Sequence, residues 1–138
     1  MNILIIDAQG GGIGKNLTAA VKRALPGAWV TAVGASSAAT EAMRRAGADA
    51  CATGENAVLV CACKADIIAG PLGIVLADAM LGEITPAMAR AVGQSSARRV
   101  LIPVDRCNTL IAGNANVGLS ALVEDAVRKI VSLAAEEG

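Results

Sequence analysis

A chain of 138 residues that is 54% hydrophobic and 17% charged can build one packed core and is too apolar for disorder. Twelve basic residues balance twelve acidic ones, which excludes the broad basic face of a nucleic-acid binder. The chain has no His, Tyr or Phe, so Ser-His-Asp, Cys-His and tyrosine-based catalysis are excluded as well.

In chain order, residues 2–8 read as a buried parallel strand, and a glycine cluster follows at once. Ile13, Leu17, Ala20, Val21, Ala24 and Leu25 recur at helical spacing until Pro26-Gly27 stops the helix. Ala28–Val33 is a second strand. Ser36 or Ser37 caps a helix that runs to about Ala46, with Gly47 as its stop. Ala48–Ala52 is a third strand, and Thr53-Gly54-Glu55-Asn56 opens a short helix reaching about Lys64. Ala65–Ala69 is a fourth strand closed by Gly70-Pro71. The stretch Leu72–Ile84 is expected to hold a short helix around Val75–Met80. Thr85-Pro86 starts a helix to about Ser95, with a capping hydroxyl before proline at the first helical position. Val100–Val104 is a fifth strand and Thr109–Ala112 a candidate sixth. The last helix begins near Leu119, with Leu122, Val123, Val127, Ile130 and Leu133 on one face.

This alternation predicts an α/β fold, a Rossmann-like three-layer αβα sandwich with a mostly parallel sheet of five or six strands, because parallel strands need crossover helices. Residues 1–138 read as a single domain, with no repeat or linker. The apolar run Ile67–Ala77 is too short to span a membrane and is broken by Gly70, Pro71 and Gly73. The first residues lack the basic and apolar regions of a signal peptide, so a cytoplasmic location is expected. Arg44-Arg45 and Arg98-Arg99 are read as cations near helix C-termini rather than as a nucleic-acid patch. Cys51, Cys61, Cys63 and Cys107 form no CxxC pair, and with no histidine no metal site is expected. The cysteines read as small buried hydrophobes, with Cys107 in the one setting that suggests exposure.

The chemistry concentrates in Asp7-Ala8-Gln9-Gly10-Gly11-Gly12-Ile13-Gly14-Lys15-Asn16, between the first strand and first helix. Glycines there permit close backbone approach, and the helix start offers unpaired amides to an anion. The spacing Ala8-x-x-x-Gly12-Ile13-Gly14 resembles the GxxxGIG turn of short-chain dehydrogenases, with Ala8 for the first glycine. That family's catalytic tyrosine is impossible here. The spacing Gln9-x-x-x-x-Gly14-Lys15-Asn16 resembles a P-loop, but Gln9 replaces a glycine and Asn16 the Mg²⁺-holding hydroxyl, which argues against an NTPase. The candidate cofactor-binding residues are Gln9, Gly10, Gly11, Gly12, Ile13, Gly14 and Lys15 in the loop. Ser36 and Ser37 follow after the second strand, Thr53, Gly54, Glu55 and Asn56 after the third, and Gly70, Pro71 and Gly73 after the fourth. Serines rather than an acid after the second strand favour NADP over NAD.

Four stretches together resemble an uncharacterised family of short bacterial Rossmann-like proteins known as a domain of unknown function, with a GQGGGIGK-type N-terminal motif. They are Ile6–Lys15, Thr53-Gly54-Glu55-Asn56-Ala57, Asp66–Val75 and Met80–Pro86. The resemblance implies the fold and a cytoplasmic bacterial setting, and no activity.

The expected function is therefore binding of a small phosphate-bearing ligand, a nucleotide or dinucleotide, by a non-catalytic sensor or accessory protein. One alternative is an enzyme acting on a small phosphorylated or acidic metabolite with Lys15, Glu55, Glu83, Asp105 and Cys107. The other is an oligomeric partner-binding module. A homodimer is expected through the apolar segment Leu72–Met88, with neither nucleic acid nor membrane as partner.

Overall fold

The computed structural model describes residues 1–104, 108–113 and 117–137. Five strands form one all-parallel sheet: β1 (Asn2–Asp7), β2 (Trp29–Gly34), β3 (Ala50–Thr53), β4 (Ile67–Pro71) and β5 (Arg98–Ile102). The helices are α1 (Gly12–Ala24), α2 (Ser37–Arg45), α3 (Glu55–Ala62), α4 (Pro86–Gln94) and α5 (Leu119–Glu137). The strand order is β3-β2-β1-β4-β5, so the chain builds outward from β1 in one direction and returns to build outward in the other. This is the Rossmann-like three-layer arrangement expected from the alternation.

β1 is central and apolar, and its side chains alternate between two cores. Ile3 and Ile5 point to one face with Leu17 and Val21 of α1, Met43 of α2, and Val123 and Ile130 of α5. Leu4 and Ile6 point to the other with Val58 of α3 and Met88 and Val92 of α4. A strand buried on both faces needs no polar alternation, which is why Ile3–Ile6 is a continuous apolar run. Among the described residues no helix is long and apolar enough to cross a membrane.

Three expectations need correction. Thr109–Ala112 forms no strand. The short helix after β4 lies earlier, as a 3-10 turn over Leu72–Val75, because Asp78, Met80 and Leu81 all adopt positive φ and cannot continue a right-handed helix. Arg98 and Arg99 open β5 instead of closing a helix, although the Arg99 guanidinium reaches back to donate to the carbonyls of Val92 and Ser95 at the end of α4.

Thr18, fully buried on α1, has a hydroxyl with no hydrogen-bond partner among the described residues. An unpaired buried hydroxyl costs about 1–3 kcal/mol, and valine fills the same volume without it. Thr18→Val is expected to stabilise the protein by about 1 kcal/mol, a rise in Tm of roughly 3 °C by calorimetry. A fall in Tm would show that the hydroxyl is paired.

Candidate functional site

β1 pairs with β2 as far as Asp7↔Gly34, but its pairing with β4 ends at Ile5↔Ala69. Beyond that point a cleft of about 1020 Å³ opens at the carboxyl edge of the sheet. This is the topological switch point, where open α/β sheets take their ligands. Three segments line it: the β1–α1 turn from Asp7 to Ile13 with Lys15 and Asn16; Pro71, Gly73 and the run 76–81 after β4; and Val104, Asn108, Thr109 and Leu119.

The β1–α1 turn owes its shape to specific contacts. Gly11 sits at φ 71° as the N-cap of α1 and supplies no side-chain cap. The cap comes instead from the end of β1. The buried Asp7 carboxylate accepts from the Ala8 amide through Oδ1 at 2.8 Å and from the Gly14 amide through Oδ2 at 2.6 Å. A negative group is well placed there, since the helix start carries partial positive charge. The Gln9 amide donates to Glu83 Oε1 at 2.8 Å, so a second carboxylate, from the segment before α4, closes over the turn. The Gly11 amide donates to the Ala8 carbonyl. The amides of Gly10, Gly12 and Ile13 have no partner among the described residues.

The glycines divide into two kinds. A Cβ on Gly11 would stand 2.8 Å from Ala39 Cα, and one on Gly14 would stand 2.8 Å from Asp7 Cβ, so both are demanded by packing. A Cβ on Gly10 or Gly12 would meet nothing within 4 Å, and neither residue has positive φ. The fold does not require glycine at those two positions.

The opposite wall is a tight, strained loop. Asp78, Met80 and Leu81 have φ of 65°, 57° and 58°. The loop is held by the Asp78 amide donating to the Ile84 carbonyl at 2.7 Å and the Ile84 amide donating to the Ala79 carbonyl. Non-glycine residues in this conformation cluster at functional sites. Leu81 is 97% exposed at the mouth of the cleft. Of the rest of the apolar segment, Ile74, Ala79, Ile84 and Met88 belong to the core beneath α3 and α4, with Val75, Leu76 and Met80 partly buried against it.

Of the residues singled out in the sequence, Gln9, Gly10, Gly11, Gly12, Ile13, Lys15, Pro71 and Gly73 line the cleft. The others have different work. Gly14 receives the Asp7 cap and Gly70 sits under a strand contact. The Ser36 hydroxyl caps α2 by accepting from the Ala39 amide and donates to the Gln9 carbonyl at 2.7 Å. Ser37 is the exposed first residue of α2. Thr53 pairs with the Thr40 hydroxyl. Gly54 caps α3 at φ 101°, and Asn56 lies exposed in the first turn of α3. Glu55 Oε1 accepts from the Thr85 hydroxyl at 2.5 Å, tying α3 to the cap of α4. Sequence reasoning missed the roles of Asp7, Asn16 and the run 76–81. The lone acid ending an apolar strand was a readable signal; the loop's contribution, which depends on three positive φ values, was not.

Cys51 and Cys61 offer little nucleophilic character. Burial pushes both Cys51 and Cys61 up from the usual thiol range. Cys63 is exposed at the end of α3, contrary to the expectation that only Cys107 would be. Cys107 and Asp105 lie outside the described residues. Among the described residues no cluster of three or more Cys, Asp or Glu side chains could hold a metal ion.

A family model described as a domain of unknown function (DUF3842) matches residues 2–135. The chain belongs to this family. DUF3842 thus covers both cores, the β1–α1 turn and the strained loop, in keeping with the resemblance carried by the four sequence stretches. A search of curated protein sequences finds no match. Among solved structures, a dodecameric FMN-dependent UbiX-like decarboxylase from Escherichia coli O157:H7 is similar with a TM-score of 0.48 and 16% identity, over 96% of this chain and 76% of that one. AibC is similar with a TM-score of 0.48 and 20% identity, over 94% of this chain and 38% of its own.

Proposed function

We propose that this protein binds a small phosphate-bearing ligand of the nucleotide class in the switch-point cleft, without catalysing a reaction on it. The observation that carries this reading is the pair Gly10 and Gly12. Both have ordinary backbone conformation and open space where a side chain would stand, and both line the cleft with amides that have no partner among the described residues. Packing gives no reason for glycine there, and glycine loses more conformational freedom on folding than any other residue. A ligand that must reach the backbone supplies the reason. The Gly10, Gly12 and Ile13 amides, the positive end of the 13-residue α1 and the Lys15 ammonium together suit a phosphoryl group.

Binding alone is favoured over catalysis by the position of the two glutamates singled out in the sequence. Glu55 does not line the cleft and its carboxylate is engaged by Thr85. Glu83 is engaged by the Gln9 amide. A general acid or base needs direct reach to its proton or one bridging water.

The test separates fold from site. Gly12→Ala is expected to leave the thermal midpoint unchanged or raise it by a few degrees, since alanine is the better helix former. The methyl group is expected to weaken binding of a phosphate ligand at least tenfold. Wild-type protein is screened by thermal shift against NAD, NADP, ATP, GTP, FMN and FAD. A ligand at about 100 times its Kd adds roughly 2.7 kcal/mol of stability. A flat wild-type response to the whole panel, or equal binding by Gly12→Ala, overturns the proposal.

A further inference from the structure

We infer that the ligand is a phosphate monoester with a single body, a mononucleotide rather than a dinucleotide. This rests on the phosphate-binding reading and narrows it. A dinucleotide on a Rossmann-like sheet straddles the first βα turn, with one ribose beyond the end of the second strand and the other half past the switch point. Here the first of those halves has no space. Beyond the ends of β1 and β2 the chain stays closed: the Ala35 amide donates to the Asp7 carbonyl at 2.9 Å, and the Ser36 hydroxyl donates to the Gln9 carbonyl at 2.7 Å. Beneath them, Gly11 packs so closely on Ala39 that even a Cβ is excluded. No residue of the turns after β2 or β3 lines the cleft.

The open volume of this cleft lies on the β4–β5 side. Its lining there is mostly apolar, with Leu76, Met80, Leu81, Val104 and Leu119, and its polar groups are Asp78, Asn108 and Thr109. A phosphate seated on the Gly10, Gly12 and Ile13 amides therefore projects its ester-linked body toward that side, into a largely apolar slot. Ser36, the residue that a dinucleotide would use, is the latch that shuts the other direction.

The experiment compares matched ligands on wild-type protein by isothermal titration calorimetry, pairing FMN with FAD and nicotinamide mononucleotide with NAD. Each dinucleotide contains its monophosphate partner, so the added half is the variable. The expected result is that at least one monophosphate binds and its dinucleotide binds at least tenfold more weakly. A dinucleotide that binds as tightly as its monophosphate overturns this inference and leaves the phosphate site standing. If none of the four binds, and inorganic phosphate gives no thermal shift that Gly12→Ala abolishes, the phosphate reading falls with it.

Discussion

Gly70→Ala is expected to destabilise the protein by about 3 kcal/mol or more, the range for overpacking where backbone must move. A Cβ at position 70 would stand 2.3 Å from the Ile6 carbonyl oxygen and 3.2 Å from Ile74 Cδ1. The first contact is with the backbone of the central strand, which is held on its other side by β2. Gly70 is itself paired to Leu101 of β5, so β4 cannot retreat without straining that ladder too. In urea the midpoint should fall sharply at unchanged m-value, and Tm should drop by roughly 10 °C. Gly12→Ala is the internal control, because its methyl meets open space. Equal stability of the two variants would mean that β1 and β4 are farther apart at the switch point than the 2.3 Å from a Cβ at position 70 to the Ile6 carbonyl oxygen implies.

The sheet was legible in the sequence because its signals are local. A short apolar run such as Ile3–Ile6, closed by a glycine-rich turn, reads as a strand buried on both faces, and Thr85-Pro86 carries a cap and a helix start in two residues; the Thr85 hydroxyl does accept from the Met88 amide. The glycine-rich turn was likewise visible as the link from β1 into α1, and it lines the cleft. What could not be read was which glycine serves which purpose. Gly10, Gly11, Gly12 and Gly14 are identical in the sequence, and only three-dimensional contacts separate the two that packing demands from the two it does not. Ser36 posed a related problem. A serine after the second strand can hold a ribose phosphate or cap a helix, and the same hydroxyl can instead latch one turn to another. Its bond to the Gln9 carbonyl spans 27 residues, a distance over which sequence pattern is silent. The run 76–81 failed for a further reason. Met80 and Leu81 are good helix formers by composition, and the turn hydrogen bonds from Asp78 to Ile84, from Ile84 to Ala79 and from Gly82 to Asp78 override that preference.

Asp7→Asn is expected to move stability and anion affinity in opposite directions. The Asp7 carboxylate is 4% exposed and accepts from two amides, those of Ala8 and Gly14. An asparagine of the same shape has one oxygen and one NH₂ group, so one of those amides must face a donor. Leaving a buried donor unpaired costs about 1–3 kcal/mol, and losing the negative group at the helix start adds about 0.3–1 kcal/mol. Chemical denaturation should therefore show a clear loss of stability. The same change removes a negative charge from the wall of the cleft, beside the amides proposed to hold a phosphoryl group. At a separation of several ångströms in a partly solvated cleft that charge opposes an anion by about 1 kcal/mol, so phosphate-ligand affinity should rise about fivefold at low salt. The gain should shrink as ionic strength increases, because screening weakens the repulsion it removes. A variant that loses stability and binds less tightly in calorimetry would instead make Asp7 a residue that positions the ligand through the turn. Unchanged stability would mean that the carboxylate does not cap α1. The opposed pair of effects is the signature of a helix start whose positive end is shared: Asp7 takes the Gly14 amide to fix the turn, and the amides of Gly10, Gly12 and Ile13 are left for the proposed phosphoryl group.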